Sequence, residues 1–195
     1  MSTQPHERIG MSLEEFLARG ETQPFELIEG EVIARMSNVY EHVWLIEKIY
    51  LWMLNHVLAH HLGRVHKEVS YTTSDSAQWV SSSRIPDIAF YQAHRIDAYR
   101  QARPKGFGPL RLVPDLTVEL VSPSEKADDT AKKIAADLAN GVREVWVIDM
   151  TTQAAHIHTP NGVTEIAPDG ALTTPLLPAF ELRLPDLFAA LMSCR

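Results

Sequence analysis

At 195 residues with 45% hydrophobic side chains, the chain is sized to bury one substantial core and is short for two domains. The single cysteine, Cys194, excludes an intrachain disulfide or a thiolate zinc cluster, and a formal net charge of -7 excludes bulk electrostatic coating of nucleic acid, which needs a basic face. No segment approaches the roughly 18 uninterrupted apolar residues of a membrane helix, and the opening MSTQPHERIG lacks the apolar stretch of a secretory signal, so a cytoplasmic protein with no membrane partner is expected.

Residues 1–10 read as a flexible tail and 11–195 as one domain. Ser12 and Glu15 have capping-box spacing and predict a short helix to Gly20. FELIEGEVIARM, residues 25–36, predicts a hairpin turning at Glu29-Gly30. Val43, Ile46, Ile49, Tyr50, Met53, Leu54, Val57 and Leu58 recur at helical spacing from about Tyr40 to Leu62, with Gly63 expected as the residue just past the helix. Strands are expected over 64–73, 85–91 and 115–122. Asp128 to Asn140 then reads as a helix burying Ala131, Ile134, Ala135 and Leu138 and ending at Gly141. VREVWVIDM is an apolar run of strand length suited to cover on both faces, and the tail alternates short strands and turns. Strand, helix, strand across 115–149 makes a crossover unit, so the class is α/β with a mixed sheet.

Between Arg95 and Arg111, five cations gather against the single acid Asp97, and Pro104, Gly106, Gly108 and Pro109 mark its second half as a loop. A solvated surface loop is one reading of this run; contact with substrate phosphate, with Arg100, Arg103 and Lys105 as candidates, is the other. His56 and His60, one helical turn apart, lack a carboxylate motif or cysteine nearby and read as a solvated face. His156 and His158 share a strand face and receive no role.

Two carboxylates stand out: Asp87 in RIPDIAF and Glu119 in TVELV lie in segments that otherwise look buried. A buried carboxylate costs several kcal/mol unless a hydrogen bond, a cation or a metal compensates it. Hard divalent ions take oxygen ligands, and adjacent strands can supply such a pair. Asp115 lies four residues before Glu119 on the same strand, roughly 13 Å away at about 3.3 Å per residue, so Asp87 is the better partner. Ser122, after Glu119, has no nucleophile-elbow glycines around it; it is expected to shape the turn and touch phosphate.

The order of ELIEGE at 26–31, His42 entering a helix, RIPDIAF, PDLTVELVSPS at 114–124, Lys133, GVREVWVID at 141–149 and LLPAFELRLPDLF resembles the Uma-type restriction endonucleases of the PD-(D/E)XK superfamily, over about residues 12–190. The resemblance implies a restriction-endonuclease-like mixed central β-sheet flanked by helices, and a metal-dependent endonuclease acting on DNA with Mg²⁺ or Mn²⁺. It makes Asp87 and Glu119 metal ligands. Of the acids flanking the hairpin turn, Glu31 ahead of Glu29 is the candidate for an extra ligand or water anchor, hairpin solubility being their other reading. The superfamily lysine two residues after the acid is replaced by Val121, and the resemblance assigns its role to Lys133, which periodicity alone does not separate from Lys132. His42 becomes a contact to substrate or to a ligand carboxylate, and a homodimer is the family-level expectation, with Trp44, Trp52 or Trp79 as candidate markers of its face and core packing as the equal reading of Trp44 and Trp52. Asp137, where the family has tyrosine, is read as an ordinary exposed helix residue. The alternatives are a catalytically silent scaffold with the same fold, or a hydrolase of RNA or nucleotide phosphoesters.

Overall fold

The computed structural model describes residues 8–35, 39–74, 76–102, 109–123 and 125–192. The chain opens with a short strand, Met11–Ser12 (β1), and helix Leu13–Thr22 (α1), where the Ser12 hydroxyl accepts from the Glu15 N–H as the capping spacing requires. The hairpin strands Phe25–Ile28 (β2) and Glu31–Ala34 (β3) follow, with Glu29 and Gly30 both at positive φ, 52° and 85°, the conformation that a two-residue turn of this hand demands. Next come helix Tyr40–Ala59 (α2) and strands Gly63–Lys67 (β4), Tyr71–Thr73 (β5), Trp79–Val80 (β6), Ser82–Arg84 (β7) and Ile88–Gln92 (β8). Helix Ala93–Ala102 (α3), strand Leu116–Val121 (β9), helix Ala127–Asn140 (α4) and strand Glu144–Asp149 (β10) complete the central part. The tail contains strands Ala155–Thr159 (β11), Gly162–Ile166 (β12), Ala171–Leu172 (β13) and Leu182–Arg183 (β14), then helix Leu184–Met192 (α5).

The central sheet has six strands in the order β12-β11-β10-β9-β8-β4. Only β9 and β10 pair in parallel, joined through α4; the other pairings are antiparallel. The α/β class with a mixed sheet therefore stands. A second sheet of four strands, β3-β2-β7-β5, was not foreseen. It arises because the stretch expected as one strand over 64–73 is two: β4 joins the central sheet and β5 the smaller one.

Alternation along β9 sorts its side chains. Leu116, Val118 and Leu120 enter the main core beside Leu45, Ile49 and Met53 of α2 and Leu187 of α5. Thr117, Glu119 and Val121 take the opposite face, under α4. The Trp44 and Trp52 rings are half-buried against the main core, while the Trp79 indole N–H donates to the Ile9 carbonyl. No helix among the described residues is long and apolar enough to cross a membrane.

Three local expectations need correction. Helix α2 ends at Ala59, with His60 as its C-cap, and His61, not Gly63, takes the left-handed turn at φ 54°. Gly63 opens β4, where its Cα lies close against the Tyr91 carbonyl. On α4, Ala131 and Ala135 are exposed; the inward row is Thr130, Lys133, Ile134, Asp137 and Leu138, so its helical spacing carries two charged residues toward the sheet.

Candidate functional site

β8 runs antiparallel to β9 with Ile88 opposite Val118 and Ala89 opposite Thr117. Continuing that register one step outward brings Asp87, the residue before β8, opposite Glu119. Directly opposed residues share a sheet face with Cβ atoms about 4.5–5.5 Å apart. Both carboxylates line a cleft of about 310 Å³, together with Glu26, Arg35, His42, Ser122, Glu125, Lys126 and Lys133 among others.

Asp87 is 4% exposed and held on one side. Its Oδ2 accepts from the Leu120 backbone N–H at 2.9 Å and lies 3.4 Å from His42 Nε2. Its Oδ1 meets Arg35 Nη2 at 3.3 Å. His42, the third residue of α2 and buried, donates from Nε2 to the Leu120 carbonyl at 2.8 Å, which fixes that nitrogen as the protonated one. Its Nδ1 is buried without a hydrogen-bond partner among the described residues. Burial disfavours the imidazolium, but the hydrogen bond and charge of Asp87 outweigh it, and the His42 pKa lies above the ordinary histidine value.

Glu119 stands on a deeper structure. Its Oε1 accepts from Arg84 Nη2 at 2.8 Å. Arg84, with no exposed surface, also binds Glu26 through Nη1 and Asp137 Oδ1 through Nε at 2.9 Å. Asp137 in turn accepts from the Tyr71 hydroxyl at 2.6 Å and the Thr117 hydroxyl at 2.9 Å. One guanidinium therefore ties together β2, β9 and α4. Asp137 is fully buried, which overturns the expectation of an exposed helix residue: it lies one turn beyond Lys133 on the inward row of α4. Burial pushes the Glu119 carboxyl up to about 8, with Asp87 and Glu26 adding to the effect and Arg84 and Lys133 opposing it.

Lys133 and Lys132 are distinguished by geometry. Lys132 points outward to Glu31, with Nζ–Oε2 at 3.6 Å and side chains 51% and 71% exposed. Lys133 lines the cleft and its Nζ donates to Glu125 Oε1 at 2.6 Å. Burial would lower the Lys133 pKa, but the Glu119 charge and the Glu125 hydrogen bond raise it, so the side chain stays an ammonium.

The sequence of folded elements and the cleft agree with a family. The model for the Uma2 family, described as "putative restriction endonuclease", matches residues 13–186. The chain belongs to the Uma2 family. Among solved structures, this Uma2 chain is similar to a protein from Anabaena variabilis ATCC 29413 described as "a putative nuclease belonging to DUF820". The TM-score is 0.73 at 24% identity, covering 92% of this chain and 98% of the other. That likeness supports the nuclease-like fold. Comparison with curated proteins finds no match.

Within this Uma2 fold, the cleft brings together Asp87, Glu119, Lys133, His42 and Ser122. Glu31 stands outside the cleft lining, and Arg100 is exposed on α3, also outside it. Arg103 and Lys105 lie outside the described residues. Asp115, at the far end of β9, is fully buried against Arg95 Nη1 at 2.9 Å and the Gln92 N–H at 2.9 Å, so its charge is compensated away from the cleft. Among the described residues, no group of three or more histidine, cysteine, aspartate or glutamate side chains is disposed to hold a metal. What the cleft offers is an oxygen pair, Asp87 and Glu119, the donor chemistry of a hard divalent cation completed by water or phosphate.

Sequence reasoning passed over Glu26, Arg35, Arg84 and Glu125. Glu26 carried a usable signal: an acid between Phe25 and Leu27 is as anomalous as Glu119 in TVELV. Arg84 carried none, because β7 is only three residues long and shows no pattern.

Proposed function

We propose that this Uma2 chain is a divalent-metal-dependent nuclease that hydrolyses phosphodiester bonds of DNA. The observation that carries the reading is the opposition of Asp87 and Glu119 at the floor of a cleft that Lys133 also lines. The two carboxylates fit Mg²⁺ or Mn²⁺: they are hard oxygen donors, and both are buried side by side in the cleft lining. When bound, such an ion supplies Lewis-acid polarisation of a phosphoryl oxygen and acidifies its bound water.

The chain's own residues would do the rest. Asp87 is oriented by the Leu120 N–H and His42, which leaves Oδ1 toward the cleft. Glu119 is oriented by Arg84, whose single hydrogen bond to Oε1 selects the oxygen left over. Lys133, held by Glu125 and kept protonated, is suited to donate to negative charge developing on a phosphate rather than to accept a proton. Ser122 stands at the rim as a neutral donor toward a phosphate oxygen.

Supercoiled plasmid incubated with the protein and Mn²⁺ tests the reading. The wild type is expected to nick it and Asp87→Ala to leave it intact, with circular dichroism unchanged. Nicking that persists in Asp87→Ala contradicts the assignment. RNA cleaved in place of plasmid keeps the site and changes the substrate.

A silent scaffold has one observation in its favour: Arg84 and Arg35 already lie against the two carboxylates. A wild type that binds no divalent ion and cuts neither substrate would select it.

A further inference from the structure

Two arginines meet the carboxylate pair, and they are held very differently. Arg84 has no exposed surface and contacts of 2.8 and 2.9 Å to Glu119 and Asp137. Arg35 follows β3 at the rim of the cleft, its side chain 21% exposed. Its backbone is anchored, the N–H donating to the Pro24 carbonyl at 3.2 Å. Its guanidinium rests between Asp87 Oδ1 at 3.3 Å and Glu68 Oε1 at 3.6 Å, and Glu68 is itself half-exposed. Charge-assisted bonds of this kind normally run about 2.7–2.9 Å, so Arg35 is loosely held. Asp87 Oδ2 is engaged by the Leu120 N–H and His42, whereas the contact shown for Oδ1 is this arginine. Among the described residues lining the cleft, Arg35 is the one guanidinium.

The geometry points to a cation exchange at Asp87 Oδ1: Arg35 neutralises this oxygen in the metal-free protein, yields it to a divalent ion, and its released guanidinium takes a backbone phosphate of the nucleic acid. The inference rests on the nuclease reading and adds a phosphate-binding residue to it. Like charges a few Å apart repel, so a divalent ion at Oδ1 opposes a guanidinium in its present place. A planar fork of N–H donors matches phosphate oxygens, and the anchored backbone with a partly exposed side chain leaves the head group free to turn toward the cleft. The exchange links metal entry to substrate capture: the cation that would compete with the metal becomes the one that reads its substrate's charge.

The test uses Arg35→Gln and Arg35→Lys, with thermal unfolding to verify that each is folded. Mn²⁺ is titrated calorimetrically, and a fluorescein-labelled duplex with hydrolysis-resistant phosphorothioate linkages is titrated by anisotropy over a salt series in Mn²⁺. Arg35→Gln is expected to bind Mn²⁺ about threefold or more tightly, because a competing positive charge is gone. The same variant should bind the duplex more weakly, with a salt slope smaller by about one. Arg35→Lys keeps the charge and should stay near the wild type for Mn²⁺. A merely structural arginine would lower both affinities on removal, and equal or weaker Mn²⁺ binding in Arg35→Gln overturns the exchange. Tighter Mn²⁺ binding with unchanged duplex affinity and slope overturns the phosphate contact. A wild type that binds no Mn²⁺ overturns the metal reading itself, an outcome distinct from the other two.

Discussion

Arg84 and Asp137 show how far this site is built below its surface. A guanidinium without exposed area is stable only because three carboxylates surround it, and each of those carboxylates is stable in turn because Arg84, Tyr71, Thr117 or a backbone N–H donates to it. Removing one partner of a buried pair leaves an uncompensated charge, so Asp137→Ala is expected to cost about 3–5 kcal/mol in urea unfolding. A loss under about 1 kcal/mol, the range of exposed ion pairs, would contradict the network. Glu119 gives a pH signature. Its folded pKa of about 8 lies above the ordinary 4.5, so the folded chain binds this proton more tightly than the unfolded chain. Its contribution to stability is fully present below about pH 4.5 and is lost as pH rises toward 8. In metal-free protein, Glu119→Gln should flatten the fall in stability across that window; an unchanged profile would show that Glu119 does not carry it. Asp87 and Glu119 were legible in the sequence because each sits in an apolar context that no surface residue needs. Asp137 was misread for the opposite reason: surrounded by small and charged residues on α4, it looks solvated until the partner, Arg84, is brought to it from 53 positions away.

At the scale of elements, the site depends on register. Antiparallel pairing of β8 with β9 sets Asp87 against Glu119, and the inward row of α4 delivers Lys133 and Asp137 one turn apart over the same face. β4 braces the other edge of β8, and at Gly63 the two backbones leave no room for a side chain: a Cβ there would meet the Tyr91 carbonyl at 1.9 Å, with φ at 149°. Gly63→Ala should therefore destabilise by more than about 1 kcal/mol in thermal or urea unfolding, beyond the gain that alanine brings by restricting the unfolded chain. A neutral effect would mean that the sheet edge can shift away. The hairpin turn, the body of α2 and the β9–α4–β10 unit were readable from turn residues and periodicity. The end of α2 and the split of 64–73 were not, because strand partners rather than local residues decide them: β4 lies on β8, while β5 lies on β7.

At the scale of the molecule, the central mixed sheet carries α2 and α5 over one face and α4 over the other, beside a smaller four-stranded sheet whose strand β2 delivers Glu26 to Arg84. Element order and the β9–α4–β10 crossover made the α/β class legible. Of the smaller sheet only the β2–β3 hairpin was, since β5 and β7, three residues each, carry too little pattern to be paired from sequence. The fold's functional consequence is a cleft that sets Arg35, Lys126 and Lys133 around the buried pair Asp87 and Glu119, in a chain of net charge -7 that otherwise has little attraction for polyanions. Binding of a divalent ion between Asp87 and Glu119 is the claim on which the rest depends. Calorimetric titration of Mn²⁺ into the wild type, Asp87→Asn and Glu119→Gln tests it most directly. Saturable binding by the wild type is expected, falling by at least about tenfold, roughly 1.4 kcal/mol, in each variant. Equal binding by all three, or none by the wild type, would contradict it.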